Sequence, residues 1–427
     1  MNILIVGSGA REHSIAVSVQ KSPLCSRLFC LPGNAGIAEI AECFPIAIND
    51  CEGIVSFCKE QGVEFVIIGP ELPLSLGLAD SLSEAGIKVF GPSKAAAELE
   101  SSKIFMKSVC SLAGLPTAKY RDFDDYNEAT QYVLQEMASM PEAIVVKADG
   151  LASGKGVTVA RSAYEAVTAL KEAMVDKIFG ESGSKVIIEE FLSGEEASVF
   201  ALCDGKTARF FASAQDHKAV HDGDTGPNTG GMGAYSPAPV IDEAMLEQIM
   251  EEIINPTVKQ MNKLGKPFCG VLFAGLMITK DGPKLMEFNA RFGDPETEAI
   301  LPRLTSDLLE LLLACSEGRL EEAPILFSEK PALCVVVASN GYPGEYAKGV
   351  AINNLDKVKG LPDTMLFHAG TKLSESGEIV SNGGRVLCIS AIADDLKKAQ
   401  KQAYNAVDAI NWHGGFCRRD IGWRAVK

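Results

Sequence analysis

Met286-Glu287-Phe288-Asn289-Ala290-Arg291 is the stretch from which the fold is read. It follows Asp281-Gly282, and before that turn lies the aliphatic run Val271 to Ile278. Asp-Gly between two such runs is the strongest short-range sign of a β-hairpin. On a strand, successive side chains point to opposite faces. Glu287, Asn289 and Arg291 therefore share one face, and Met286, Phe288 and Ala290 the other. Polar side chains on the inner face of an otherwise apolar strand are costly unless they have a partner. A carboxylate and an amide oxygen side by side suit Mg²⁺, which takes oxygen ligands, waters and nucleotide phosphates. Arg291 beside them is placed to hold a transferring phosphoryl group.

Working outward, a second hairpin pairs Ser198 to Leu202 with Thr207 to Ala212 around Asp204-Gly205. Upstream lies a small α+β unit: a strand Ala143 to Lys147, a glycine-rich stretch Asp149 to Val157, a helix from about Tyr164 to Phe179 and a strand Lys185 to Glu189. Glycine leaves the backbone free to move, as a loop folding over a triphosphate must. Lys103 at the head of a helix, Lys147 at the end of the strand and Lys155 within the loop would supply positive charge. Taken alone, each lysine reads more readily as a solvated surface charge. Glu189-Glu190-Phe191-Leu192 with Glu195-Glu196 reads either as a strand edge pairing with an adenine, with a carboxylate for ribose hydroxyls, or as a strand running out into an acidic loop.

The first hundred residues alternate strands and helices. Ile3 to Val6 and Phe65 to Ile68 end at Gly7 and Gly69, Lys88 to Phe90 ends at Gly91-Pro92, and helical spacing runs from Leu72 to Ala85. That rhythm implies a parallel βαβ sheet. Gly7-Ser8-Gly9-Ala10-Arg11-Glu12-His13 opens a helix after the first strand, so its N–H groups face any anion. The third glycine and downstream acid of a dinucleotide fingerprint are absent, which leaves a phosphate loop or a plain tight turn. After about residue 325 the chain turns to Val/Ile-rich strands and a final helix near Leu396 to Ile410. The expected organisation is α/β and α+β, with units at 1–102, 103–324 (carrying a lid at about 120–192) and 325–427.

The 427 residues exceed one hydrophobic core and suit roughly two to four domains. A net charge of -16 argues against non-specific nucleic-acid binding, which needs a cationic footprint. The twelve cysteines form no C-x-x-C pair, and most sit in apolar runs, so they read as reduced core residues. No apolar run of about 18 residues and no signal-like start is present, which sets a cytoplasmic, non-membrane expectation.

Taken in order, Lys103, Lys147 with its glycine loop, Glu189 to Leu192 with Glu196, and Glu287-x-Asn289-x-Arg291 resemble the ATP-grasp superfamily. The resemblance implies ATP between two α+β lobes and a carboxylate phosphorylated before an amine attacks it. It implies Lys103 and Lys147 at the phosphates, Glu189 and Leu192 at the adenine, Glu196 at the ribose, and Glu287 and Asn289 at Mg²⁺ or Mn²⁺. Many members carry a further acidic ligand on the preceding strand, where Ala274 and Gly275 stand here. Five motifs narrow the likeness: Gly7 to His13, Pro32-Gly33-Asn34-Ala35-Gly36, Gln215-Asp216-His217-Lys218, Asp222 to Gly233, and Arg291-Phe292-Gly293-Asp294-Pro295-Glu296-Thr297. Together they are similar to the phosphoribosylamine–glycine ligase family along the whole chain.

That likeness implies glycine and 5-phosphoribosylamine as partners, joined through glycyl phosphate, in a monomer or small homo-oligomer. It implies Arg291, Lys155 and Asp294 as catalytic residues. Gly9, Arg11, Glu12, His13, Gly33 and Asn34 would bind substrate phosphate. Asp216, His217, Asp224, Asn228, Gly230 and Gly231 would line the substrate site, with His217 alternatively a structural hydrogen-bonding residue. Ala10 departs from a common Gly, and Glu298 from a frequent Gln. A bicarbonate- or formate-using relative would share the ATP residues but lack the Asp222 to Gly233 motif. A regulator that only holds ATP would not need Lys103, Lys147, Glu287, Asn289 and Arg291.

Overall fold

The first strand, Asn2–Gly7, decides the N-terminal architecture because it is apolar on both faces. Ile3 to Val6 are fully buried, as strands of a parallel sheet covered by helices must be. In the computed structural model, which describes residues 1–139, 142–150 and 156–426, this strand is the centre of a five-stranded parallel sheet. Arg27–Pro32 and then Glu42–Cys43 lie on one side of it, and Phe65–Ile68 and then Lys88–Phe90 on the other. The strand order therefore reverses at Asn2–Gly7, and the loops after Gly7, Pro32 and Ile68 open into one crevice. The helical segment expected from Leu72 to Ala85 is two helices, Glu71–Leu76 and Leu78–Glu84. Gly77 breaks it in a left-handed conformation with φ of 94°.

A four-stranded antiparallel sheet follows, in the order Tyr120–Phe123, Val186–Glu190, Ile144–Ala148, Val157–Ala160. Helices Tyr126–Ser139 and Ala163–Leu170 cover it through a small core that includes Val133, Ile144 and Leu170. The second helix was expected to run to Phe179. It leaves α-helical geometry at Leu170 and continues as a wider π-type turn over Lys171–Val175.

The largest sheet carries the decisive hairpin. Its order is Gly282–Asn289, Cys269–Thr279, Glu195–Asp204, Ala208–Asp216, Gly233–Ser236, Ala332–Ser339, Arg385–Ile392, Thr364–His368. Both Asp-Gly hairpins are present, with Gly205 and Gly282 at φ of 87° and 106°. Strict alternation fails at one point. The register shifts between Gly275 and Leu276, which pair with Glu287 and Leu285, so Met286 is left unpaired as a bulge. Met286 consequently lines the same cavity as Glu287 instead of facing away, while Leu285, Phe288 and Ala290 join the core behind the strand. The short strand Gly233–Ser236 joins the two halves of this sheet by pairing with Ala208–Asp216 on one side and Ala332–Ser339 on the other. Behind the second half, helix Leu396–Ala409 closes a separate apolar cluster.

All twelve cysteines are free thiols. Seven are buried, but Cys25, Cys43, Cys51, Cys269 and Cys417 are only partly so, because their segments lie at sheet margins or helix starts. Among the described residues no helix is long and apolar enough to cross a membrane.

Glu298 lies in the helix Glu296–Ile300, fully buried, and neither side-chain oxygen has a hydrogen-bond partner among the described residues. Burial, with Asp294 nearby, pushes its carboxyl well above the usual range, which favours the neutral acid in the fold. The sign follows from linkage. The unfolded chain ionises Glu298 near pH 4.5 while the folded chain does not, so folding stability falls as pH rises from there toward the raised folded value. The loss is up to about 1.4 kcal/mol per pH unit. We predict that Glu298→Gln removes this component, and that melting curves of the two proteins diverge increasingly from pH 5 to pH 8. Parallel pH dependence would show Glu298 to be ionised in the folded protein.

Candidate active site

One large cavity, of about 640 Å³, lies where the three sheets meet. It falls within the range of small-molecule sites, roughly 300–1,000 Å³. The sequence placed its charged residues far apart along the chain, and the fold gathers Lys103, Lys147, Glu189, Leu192 and Glu196 on one part of its wall. Glu287, Asn289, Arg291, Asp294, Asp216, Asn228, Gly230 and Arg11 line it as well. Lys155 lies outside the described residues.

At one end, Ser102 caps the helix Lys103–Ala113 by accepting from the Phe105 N–H. Asp149, just past the strand Ile144–Ala148, accepts from the Ile104 N–H at 3.1 Å, and Lys103 Nζ donates to the Gly150 carbonyl at 3.1 Å. These contacts bring both lysines to the same wall. Lys147 Nζ is 2.8 Å from Glu189 Oε2 and donates to the Met286 carbonyl. The other oxygen of Glu189 is 2.9 Å from Lys107 Nζ, a fully buried ammonium that also donates to Thr117. One carboxylate thus bridges two ammonium groups. Such a buried arrangement holds only while every partner is present, and removing one costs about 3–5 kcal/mol. Glu196 meets Lys218 at 2.8 Å. Burial opposes the charge on Lys218, yet Glu196, Asp216 and Glu287 hold it well above its usual value.

On the decisive strand, the side chains of Glu287 and Asn289 border the cavity and make no hydrogen bond or ion pair with the described residues. Burial would raise Glu287, but Lys218, Lys147, Lys103 and Arg291 together bring it below the ordinary carboxylate value, so it stays ionised. Two oxygen-bearing groups facing a cavity without protein partners are the donor set a hard cation takes. Among the described residues no cluster of three or more His, Cys, Asp or Glu forms a self-sufficient metal site.

Arg291 is held from two directions. Its Nε is 3.2 Å from Glu71 Oε2 and its Nη2 is 3.0 Å from Glu100 Oε1. The second oxygen of Glu100 accepts from the Ala290 N–H at 2.8 Å, which ties the guanidinium to the end of its own strand. Burial opposes ionisation of Glu71, but Arg291 and Arg11 bring it down to about 2. Asp294 pairs with Arg385 at 3.0 Å, and Arg385 also donates to the Gly230 carbonyl at 2.7 Å. Glu296, buried beside Asp216, is pushed up to about 7 by burial first and that carboxylate second.

The glycine-loop residues behave differently. Glu12 folds back so that Oε2 accepts from the Gly9 N–H at 2.6 Å, while its other oxygen pairs with Arg11 at 2.6 Å. The anion that occupies this helix N-terminus is therefore the chain's own. His13 Nδ1 accepts from the His368 N–H at 2.9 Å, and burial drives its pKa down to about 3, so it is neutral. Asn34 spends its amide on the Ser8 and His368 carbonyls and its oxygen on the N–H groups of Gly36 and Ile37. At Gly33, with φ of 73°, a Cβ would overlap Cys43. His217 Nε2 accepts from the Gly422 N–H at 2.8 Å, and Asp224 is taken up by Arg418 and Arg424. Gly231 packs against Pro295. None of Gly9, Glu12, His13, Gly33, Asn34, His217, Asp224 or Gly231 borders the cavity.

Sequence reasoning assigned no role to Lys107, Lys218, Glu71, Glu100 or Arg385. Lys107 lies four residues after Lys103 on one helix, a spacing that shares a face. Lys218 ends a motif already singled out, and Glu71 follows a strand end at the crevice. Glu100 and Arg385 carry no local signal.

Comparison with known proteins supplies the rest. Three family models match in order: Phosphoribosylglycinamide synthetase N domain over residues 1–100, its ATP-grasp (A) domain over 101–297, and its C domain over 332–424. The chain is an ATP-grasp enzyme, an ATP-dependent carbon–nitrogen ligase. A phosphoribosylamine–glycine ligase of Brucella melitensis is 51% identical over 100% of this chain and 99% of its own. The chloroplastic enzyme of Arabidopsis thaliana is 52% identical over 98% of this chain and 79% of its own. The crystal structure of phosphoribosylamine–glycine ligase from Thermotoga maritima superposes with a TM-score of 0.85, at 30% identity, covering 99% of this chain and 100% of that one. The chain belongs to the phosphoribosylamine–glycine ligase family, whose activity serves purine biosynthesis. A biotin carboxylase domain from Hydrogenobacter thermophilus, 15% identical with a TM-score of 0.74 over 97% of this chain and 91% of that one, shares the fold.

Glu100→Gln keeps the shape and an acceptor for the Ala290 N–H but removes the charge that orients Arg291. We expect kcat to fall roughly 10-fold to 100-fold, with the KM for ATP unchanged and the melting temperature close to that of the unaltered enzyme. Unchanged kcat in the folded variant would take Glu100 out of the control of Arg291.

Proposed function

We propose that the cavity binds ATP, glycine and 5-phosphoribosylamine together and joins the last two through glycyl phosphate. The observation that carries this reading is the pair Glu287 and Asn289, facing the cavity without partners among the described residues and ringed by Lys103, Lys147, Lys218 and Arg291. In this reading Leu192 packs on the adenine, Glu189 and Glu196 meet adenine and ribose, and Lys103 and Lys147 meet the phosphates. Glu287 and Asn289 would hold Mg²⁺ or Mn²⁺, with waters and phosphate oxygens completing its shell; bound there, the ion would offset charge on the phosphates. Lys155 would act from the glycine-rich loop, and residues about 120–192 would close over the nucleotide. The units 1–102, 103–324 and 325–427 would contribute loops, catalytic groups and Arg385 respectively.

A carboxylate is a poor electrophile toward an amine. Attack of the glycine carboxylate oxygen on the γ-phosphorus releases ADP and turns that oxygen into part of a phosphate leaving group. The amine of phosphoribosylamine then attacks the acyl carbon, phosphate departs, the nitrogen loses a proton, and glycinamide ribonucleotide results. Arg291, fixed by Glu71 and Glu100, supports the charge on the transferring phosphoryl group. Asp294, paired with Arg385 on the same cavity, would face the glycine. Closure of the glycine-rich loop would keep water from the acyl phosphate. The loops Gly7 to His13 and Pro32 to Gly36 would border the phosphoribosyl group through Arg11, with Glu12, His13 and Asn34 shaping them from behind. Asp216, Asn228 and Gly230 would line the same substrate region.

The test is ADP release from Mg-ATP with freshly generated phosphoribosylamine, with and without glycine. Turnover that requires both is expected, and turnover driven instead by bicarbonate or formate would sink the reading. Glu287→Ala should abolish turnover while the protein stays folded, since only a cavity oxygen is lost. A folded Glu287→Ala enzyme with full activity would remove this strand from the chemistry.

A further inference from the structure

Residues 219–230 form a hairpin outside the main sheets, with Val220 packed into the apolar core around the strand Ala332–Ser339. Its strands, Ala219–His221 and Thr225–Asn228, pair only with each other, and all four residues of the second are exposed. A two-stranded hairpin of this size is marginal on its own. Its turn holds Asp224 in a left-handed conformation, φ of 55°, which a non-glycine residue adopts only when its surroundings impose it. Yet the hairpin ends at Asn228, Thr229 and Gly230, which border the cavity, and Thr229 holds Lys218 through two hydrogen bonds to its carbonyl.

Arg385 and Tyr342 hold the hairpin's end at Gly230, and the support of its turn comes from the C-terminal segment 418–424, none of which borders the cavity. Arg418, 1% exposed, donates to Asp224 at 2.9 Å and to the Ala219 carbonyl at 3.1 Å. Its other nitrogens form a two-pronged pair with Asp420 at 2.8 Å. Asp420 in turn accepts from the Gly223 N–H, and Asp222 accepts from the Arg419 N–H, each at 2.8 Å. Arg424 and the Trp423 indole N–H complete the ring on the second oxygen of Asp224, at 2.6 and 3.2 Å. His217, one residue before Lys218, is fixed from the same side by the Gly422 N–H. Two arginines on one carboxylate, one of them fully buried, form a charge-assisted network whose geometry is rigid.

We propose that segment 418–424 is a positioning element for the reaction. Through Asp224 it sets the hairpin so that Lys218, Asn228, Thr229 and Gly230 meet the non-nucleotide substrates. Asp224 and His217 act through this network and do not touch substrate. The inference rests on the reading above that this part of the cavity takes glycine and phosphoribosylamine. The nucleotide wall, built from residues 103–196, meets this region at the Glu196–Lys218 ion pair, so any effect on ATP should be the smaller one.

Arg424→Gln tests it at a partly exposed position, where the variant should fold, and Arg418→Lys against Arg418→Met asks whether a conservative cation restores function. Hydrogen exchange of residues 219–230 in the substrate-free enzyme should speed up in Arg424→Gln. The KM for glycine or phosphoribosylamine should rise roughly 10-fold to 100-fold with the KM for ATP changing less, and Arg418→Lys should recover part of what Arg418→Met loses. Unaltered exchange in the hairpin, or the three KM values moving together, would overturn the proposal. Faster exchange with all KM values unchanged would overturn it too, by showing the tether to be structural only. Failure of the underlying reading would look different, as an unaltered enzyme whose turnover ignores glycine.

Discussion

The Arg291 side chain is only 17% exposed, and a charge so far withdrawn from water needs partners. Its partners come from different parts of the chain: Glu71 from the helix after the fourth strand of the parallel sheet, and Glu100 from the helix that leads into the central unit. This ion triplet therefore joins the N-terminal sheet to the strand Gly282–Asn289. Arg11 extends it, donating to the same Phe292 carbonyl that Arg291 uses. The cavity exists in its observed form because these charges can be satisfied only when both units are in place. The same logic recurs at Lys107, Glu189 and Lys147, which hold the four-stranded sheet against the helix Lys103–Ala113.

Much of the fold could be read from the sequence because the signals were local. Apolar runs ending in glycine marked the parallel strands, and two Asp-Gly pairs marked the hairpins that carry the acidic strand. The failures were also local in cause. Gly77 splits a helix whose periodicity looked continuous, and a bulge at Met286 turns that side chain toward the cavity against strict alternation. The joining of two half-sheets through Gly233–Ser236 had no signal, since a four-residue strand within a glycine-rich segment resembles a loop.

The site was legible where strand alternation and helix starts carried it, as with Lys103, Lys147, Glu287, Asn289 and Arg291. It was less so where motif membership stood in for geometry. Motif residues such as Glu12, Asn34, His217 and Asp224 do not border the cavity; they hold the loops that do. Motif membership alone cannot separate a group that touches a ligand from one that shapes the loop behind it. Glu100 and Arg385 show the converse: each meets its partner only through tertiary folding, Glu100 and Ala290 standing 190 positions apart and Asp294 and Arg385 91.

The sheet that runs from Gly282–Asn289 through Gly233–Ser236 to Thr364–His368 has a bearing on how the chain could be divided. Cutting between its halves would leave Gly233–Ser236 and Ala332–Ser339 each with a row of unsatisfied backbone donors and acceptors, a template for pairing with other chains. Fragments separated there would be prone to stick to one another before they could rebuild the seam. Physical continuity of the sheet thus favours the two halves being synthesised as one polypeptide, even though their apolar cores are distinct.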